Sequence, residues 1–336
     1  MPFTDADVML AAVPMDLNKA EGNWRFADGR LTINGADFTL VDRNASPRFE
    51  PLIARDARLT LIDNVIAAKA QLRNPASDRL VTTVDIRHDL QSGAGHADLD
   101  VPGLQLDSEL QPGEISRLAL GVIANTKGIV TGTGRIDWAP NGTIKSTGSF
   151  SSDDLDFAAA FGPVEGASGT IEFVDLLNLT TAPGQKIRVA SVNPGVEVFD
   201  GEVEFQLRNG ELLAVSGGSW PFMGGQLILR DVDLNLGVSE ERRYLFEIVG
   251  LDAAVFMTQM DLENISATGL FDGTVPIVFD AAGNGRIDTG VLISRPPGGN
   301  ISYVGDLTYE DLSPIANFAF DALKSLDYTQ MRVVME

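Results

Sequence analysis

The sequence contains no cysteine, which excludes disulfide frameworks, thiolate zinc sites and cysteine nucleophiles. It contains 2 histidines, His88 and His96, too few for most imidazole-based metal or triad chemistry. Positive charge is scarce: 25 lysines and arginines stand against 47 acids, a formal charge of −22. Phosphate backbones would repel such a chain, so nucleic acid is not the expected partner. No apolar run approaches the roughly 18 residues of a transmembrane helix. The opening Met1-Pro2-Phe3-Thr4-Asp5-Ala6-Asp7 lacks the basic start and apolar stretch of a signal peptide. Met331–Glu336 stops inside what reads as a strand, so the chain is expected to be a piece of a longer protein, and missing targeting signals then say nothing of the parent. What is present is 336 residues at 44% hydrophobic and 21% charged, a folding composition and not a disordered one.

The dominant period is two, in short segments cut by glycine-bearing turns. Trp24–Ile33 reads as a hairpin closed by Asp28-Gly29. That register sets Phe26 opposite Leu31 and Trp24 opposite Ile33 on one face, with Arg25 and Thr32 on the other. In Ile136–Ile144 a Pro140-Asn141-Gly142 loop sets Trp138 opposite Ile144, with Ile136 on the same side. In Val203–Leu212 the Asn209-Gly210 turn sets Leu207 opposite Leu212, with Val203 and Phe205 on their side and Glu204, Gln206 and Arg208 away from it. Ile171 and Phe173 alternate with Glu172, and Tyr244, Phe246 and Ile248 with Leu245 and Glu247. Ile277 and Phe279 continue the apolar set. In Leu227–Leu234, which includes Leu229, the alternation slips at Arg230-Asp231, the mark of a β-bulge.

Helical signals are few. Asp252 caps a short segment over 253–260. Ser313-Pro314 opens an amphipathic segment over 313–326, read as a helix capping an open edge or plugging a channel. Without helical crossovers a parallel α/β sheet is not expected. The expected fold is all-β: an elongated, mostly antiparallel sheet curled into a U-shaped apolar groove, with two short helices near the C-terminal end. One continuous domain is expected, divisible into 1–165, 166–250 and 251–336. Roughly 22 strands at about 4.8 Å spacing would give a ribbon of about 105 Å. An open trough of that length leaves a long apolar lining, which calls for a ligand or partner.

Candidate catalytic and metal sites are weak. Asp280–Asp288 resembles a calcium loop, but Ala282 and Val291 occupy ligand positions, so it reads as a turn. His88 and His96 read as surface residues with no nucleophile elbow beside them. Gly132-Thr133-Gly134 lacks the third glycine and the helix of a dinucleotide loop, and reads as a bulge or close backbone approach. Trp24, Trp138 and Trp220 read as inward residues of alternating strands. No carboxylate pair forms a catalytic dyad. The scattered acids read as a solvated outer face. No cofactor, metal or enzymatic activity is expected.

Ser168–Gln185, Val189–Val198, Trp220-Pro221-Phe222-Met223-Gly224-Gly225, Val249-Gly250-Leu251-Asp252, Ala267–Gly273, Arg295-Pro296-Pro297-Gly298-Gly299 and Ala316–Leu323 together resemble the YdbH family of Gram-negative bacteria, within the AsmA-like/TamB superfamily. The resemblance is strong from about residue 165 to 330. It implies a bridge-like carrier that shields phospholipid acyl chains in a β-groove between inner and outer membrane. It also implies a periplasmic location, an inner-membrane anchor through an N-terminal segment that this chain lacks, and a small outer-membrane lipoprotein as a partner. Two other classes compete with this reading. One is an envelope scaffold that receives a partner's strand at its sheet edge; the other is a compact β-sandwich that binds a small ligand.

Overall fold

A computed structural model describes residues 1–120, 122–159, 162–193, 197–238, 240–280, 284–304 and 324–336. Strands make up 69% of it, and one large antiparallel sheet, not closed into a barrel, holds 21 of the described strands. The all-β, antiparallel expectation is therefore met. The strands are β1 (Pro2–Leu10), β2 (Met15–Ala27), β3 (Arg30–Asp42), β4 (Leu52–Ile62), β5 (Val65–Arg73), β6 (Leu80–Asp89), β7 (Gly95–Leu106), β8 (Ile123–Trp138), β9 (Ile144–Ala159), β10 (Gly162–Asp175), β11 (Thr180–Thr181) and β12 (Gln185–Val192). They continue as β13 (Val198–Arg208), β14 (Leu212–Phe222), β15 (Gly225–Leu229), β16 (Val232–Asn235), β17 (Arg242–Asp252), β18 (Ile265–Ala267), β19 (Leu270–Phe279), β20 (Gly285–Ile287), β21 (Gly290–Ser294), β22 (Gly299–Tyr303), β23 (Ser325–Tyr328) and β24 (Arg332–Met335). β18, β22 and β23 form a separate small sheet.

The backbone groups into two compact units. One is Met1–Val192 with Glu204–Ala214 and Asp233–Val238; the other is Asn193–Val203 with Val215–Val232 and Ser239–Glu336. Arg230 and Asp231 interrupt the strand run between β15 and β16, and β14 pairs with both, so the slip in alternation falls within one continuing ladder, where the sequence places an irregularity.

The helix expected after Asp252 is present as α1 (Ala253–Gln259), with the Asp252 carboxylate accepting from the Ala254 N–H at 2.8 Å. The segment 313–323 lies outside the described residues. Ser325 and Leu326, the end of that expected helix, are strand.

From β1 to β10 each strand pairs with its successor, and β10 then pairs with both β11 and β12. Two of the three hairpin registers read from the sequence are observed pair by pair: Trp24↔Ile33 with Phe26↔Leu31, and Trp138↔Ile144. Asp28 and Gly29 both adopt positive φ, 54° and 72°, the pair of left-handed residues that a two-residue hairpin turn requires. Asn209 and Gly210 do the same, and the Glu211 N–H donates to the Arg208 carbonyl across that turn.

A crease crosses these strands partway along their length. The ladder shifts register between β1 and β2, β2 and β3, β3 and β4, β4 and β5, and β9 and β10. At each shift a left-handed residue precedes an alanine: Asp5-Ala6, Lys19-Ala20, Gly35-Ala36, Asp56-Ala57 and Gly166-Ala167. Ala6 pairs with Ala20 and Ala36 with Ala57, and Ala20, Ala36, Ala57 and Ala167 are buried. Bulges of this type bend the strand and increase its twist. Neighbouring carboxylates hold three of these left-handed residues. The Lys19 N–H donates to Asp7 Oδ1 at 3.1 Å, the Asp56 N–H to Asp37 Oδ1 at 3.0 Å, and the Gly166 N–H to Asp156 Oδ1 at 2.9 Å. The second unit repeats the device, with the Gly250 N–H, at φ 70°, donating to Asp272 Oδ1 at 2.8 Å.

Candidate functional site

The ladders of the first unit align apolar side chains into rows that run across the strands. One row is Phe26, Leu31, Leu61, Ile66, His88, Gly95, Trp138 and Ile144, from β2 to β9. The next is Trp24, Ile33, Leu59, Ala68, Ile86, Ala97, Ile136 and Ser146. A third crosses β5 to β10 as Ala70, Val84, Leu99, Gly134, Gly148 and Phe173, with Ile171 and Phe150 paired beside it. Because side chains alternate between faces, all three rows lie on one face. Seven strand spacings of about 4.8 Å make each eight-strand row about 34 Å long.

The opposite face reads Arg25, Thr32, Thr60, Ala67, Arg87, His96, Asp137 and Lys145 along one row, and Lys69, Asp85, Asp98, Arg135 and Thr147 along the next. It is laced by ion pairs, Arg135 reaching Asp98 at 2.7 Å and Asp137 at 3.0 Å. A hollow of about 570 Å³ on this face is lined by Asp85, Asp98, Asp100 and Glu172 with Lys69 and Arg135. Its charges suit water, not acyl chains.

On the apolar face Ile136 and Trp138 are buried, while Ile33, Ile144, Ile171 and Phe173 are half-buried. Trp24 and Phe26, near the N-terminal edge, are 36% and 65% exposed. Phe150 and Phe173 meet edge to face at 5.9 Å. Gly132 and Gly134 admit a close approach, as their spacing suggested: a Cβ on Gly132 would strike Phe150, and one on Gly134 would stand 2.8 Å from Leu176.

Of the two histidines read as surface residues, His88 turns to the apolar face, while His96 stands on the ion-paired face with 30% of its side chain exposed. His88 is half-buried on the apolar face, in register with Val84 and Ile86, and its Nδ1 accepts the Trp138 indole N–H at 3.0 Å. His96 is half-buried on the polar face, 3.7 Å from Asp98.

Connections from the strand ends pack onto the apolar cluster. Ala12 and Val13 come from the β1–β2 turn, Ile115 from the β7–β8 connection, and Leu177 from the turn after β10. Two carboxylates secure connections at the strand ends, Asp42 that between β3 and β4 and Asp175 the turn after β10. Asp42 takes Arg48 Nε at 2.8 Å together with the N–H groups of Asn44 and Arg48. Burial works to raise its pKa, but the guanidinium and the backbone donors outweigh it and hold the carboxyl below its usual range. Asp175 takes the Ser146 hydroxyl at 2.8 Å and the Asn178 amide at 2.7 Å, and is likewise held low against the effect of burial.

In the second unit Trp220, Leu227, Ile248, Gly273 and Leu292 form one row, and Leu229, Phe246 and Val275 the next. Tyr244 pairs with Ile277, and Phe279 with Arg242, on the same face. Trp220, Leu227, Tyr244, Phe246 and Ile248 are buried; Leu229, Ile277 and Phe279 are half-buried. Glu247 points the other way, to Arg230 at 2.6 Å. Phe205 is buried, and Val203, Leu207 and Leu212 half-buried, on β13 and β14. Asp272 is lowered by Arg295, which binds it through Nε at 2.7 Å and Nη2 at 2.6 Å, and further by the Gly250 N–H.

Sequence reasoning missed Leu59, Leu61, Ile66, Val84, Ile86 and Leu99, although Leu59-Thr60-Leu61 and Val84-Asp85-Ile86-Arg87 alternate plainly. It also missed the left-handed residue before alanine, repeated five times as a break in the alternation.

Among the described residues no group of acids and histidines could hold a metal ion, and no helix is long and apolar enough to cross a membrane. No curated protein and no solved structure matches the chain. A family model described as intermembrane phospholipid transport protein YdbH matches residues 2–336, well beyond the region where resemblance is plain by eye. A sheet with apolar rows on one face and ion pairs on the other is compatible with that description, and on the strength of a match over essentially its whole length the chain belongs to the YdbH-like family.

Proposed function

We propose that the chain is a periplasmic segment of an intermembrane phospholipid carrier, and that its apolar face shields acyl chains while head groups stay in water. The observation that supports this most is the continuity of the apolar rows over eight successive strands, with charge confined to the other face. A phospholipid carries roughly 30 methylenes, and exposing them to water costs on the order of 24 kcal/mol at about 0.8 each. A row of aliphatic side chains removes most of that cost at every step along the sheet. The crease favours the same reading, because strands bent about a common line turn the two halves of one face toward each other.

Sliding requires no bond to be made or broken, so the carrier is not an enzyme. In the envelope it would be anchored at the inner membrane by a segment outside this chain and meet a small lipoprotein at the outer membrane. The scaffold reading draws on one observation: β24 pairs with β21 alone among the described strands, leaving its outer edge open to a partner's strand. Native mass spectrometry of the protein purified from a Gram-negative host tests the choice. Stoichiometric phospholipid supports the carrier; a lipid-free protein that captures a strand peptide overturns it in favour of the scaffold.

A further inference from the structure

Trp220 Nε1 and the Tyr244 hydroxyl are buried on the apolar face of the second unit without a hydrogen-bond partner. They are not equivalent. The Trp220 nitrogen is backed by Gly201, where a Cβ would collide with it, and the ring also lies over Gly218, so backbone closes that side of the indole. The contrast with Trp138, whose N–H is accepted by His88, shows that the fold supplies an acceptor elsewhere.

Tyr244 is 4% exposed, and its ring is fixed by two neighbours. Phe279 stands edge-on at 5.5 Å and Phe246 is tilted at 6.4 Å. The hydroxyl is therefore held in place without a bond to hold it. Phenylalanine would fill the same space without burying an unpaired donor. Burial raises the pKa of Tyr244, against the opposing effect of Arg242, so at neutral pH the group is an O–H donor. Beside it the apolar surface is still accessible: Ile277, directly across the ladder, and Phe279 are half-buried, and Ile287, the partner of Ile277 on β20, is 36% exposed.

A donor set among aliphatic and aromatic groups calls for a neutral acceptor attached to hydrocarbon. An acyl ester carbonyl is that group, and a phosphate oxygen would bring a full charge into apolar surroundings. We propose that the Tyr244 hydroxyl donates a hydrogen bond to the ester carbonyl of an acylglycerol lipid whose chain lies on Ile277, Phe279 and Ile287. The inference rests on the carrier reading above and adds to it a fixed station where cargo is recognised by its ester linkage.

The test is competition between a diacyl phosphoethanolamine lipid and the di-O-alkyl lipid of equal chain length, which lacks both carbonyls, read by native mass spectrometry. The wild-type protein is expected to retain the diacyl lipid about five-fold over the dialkyl one, the size of one neutral hydrogen bond. Tyr244→Phe is expected to retain the two equally, with dialkyl binding unchanged, and Trp220→Phe to keep the five-fold preference. A ¹³C-ester carbonyl stretch moved to lower frequency on binding the wild-type protein gives the same answer without a variant. Equal retention of both lipids by the wild-type protein overturns the inference, with an ordered water then satisfying the hydroxyl, and leaves the carrier reading standing. Retention of neither lipid overturns both.

Discussion

If carboxylates hold the crease, removing one should cost a predictable amount. Asp37→Ala deletes a single acceptor, the one that takes the Asp56 N–H at 3.0 Å. A charge-assisted bond of this kind is worth roughly 1.5–3 kcal/mol when buried. This site is open to water, which replaces much of the bond, so about 1 kcal/mol is expected. Asp272→Ala deletes three bonds, to Gly250 N–H at 2.8 Å and to Arg295 at 2.7 and 2.6 Å. Arg295 is partly exposed and rehydrates, so about 2 kcal/mol is expected. The two positions lie in different units and share no partner, so the double variant should lose about 3 kcal/mol. Asp37→Asn keeps an oxygen acceptor and should lose less than half of what Asp37→Ala loses. Urea denaturation followed by tryptophan fluorescence reads both units, through Trp24 and Trp138 in the first and Trp220 in the second. If Asp37→Ala and Asp37→Asn lose the same amount, or neither loses anything, bulge geometry alone makes the crease and the carboxylates are incidental.

Three further outcomes follow from the same geometry. Gly95→Ala puts a Cβ 2.6 Å from the Arg87 carbonyl and 2.7 Å from the Trp138 ring, and should lower stability in urea by about 1–3 kcal/mol. Asp42 has a folded-state pKa below its unfolded value, so its contribution is present above the ordinary carboxylate range near 4 and is lost as pH falls through the folded value. The difference in melting temperature between wild type and Asp42→Asn should therefore shrink between pH 7 and pH 3; a constant difference would mean that the charge on Asp42 is not what stabilises the β3–β4 connection. Ile33→Asp places a charge in a half-buried position of an apolar row, and should strip copurifying lipid while Thr32→Asp, on the other face, leaves it in place.

Local pattern revealed what turn chemistry and alternation specify together. Trp24-Arg25-Phe26 and Leu31-Thr32-Ile33 agree with the demands of Asp28-Gly29, and the register followed. It did not reveal what depends on alignment between hairpins. His88 was assigned to the surface because it is polar, but it shares parity with Val84 and Ile86, and a tryptophan N–H supplies the partner that lets it face inward. Asp5, Lys19 and Asp56 each look like a turn residue in isolation. Only the ladder shows them falling beside one another, where a left-handed residue costs energy on its own and a carboxylate of the preceding strand supports Lys19 and Asp56.

Site-specific photocrosslinking in cells tests the central claim most directly. A crosslinker placed at Ile33, Ile86, Ile136 or Phe246 should capture phospholipid, and one placed at Thr32, Arg87, Asp137 or Glu247, their neighbours on the other face, should not. Equal capture from the two faces, or capture from neither, would contradict a sheet that carries acyl chains on one side.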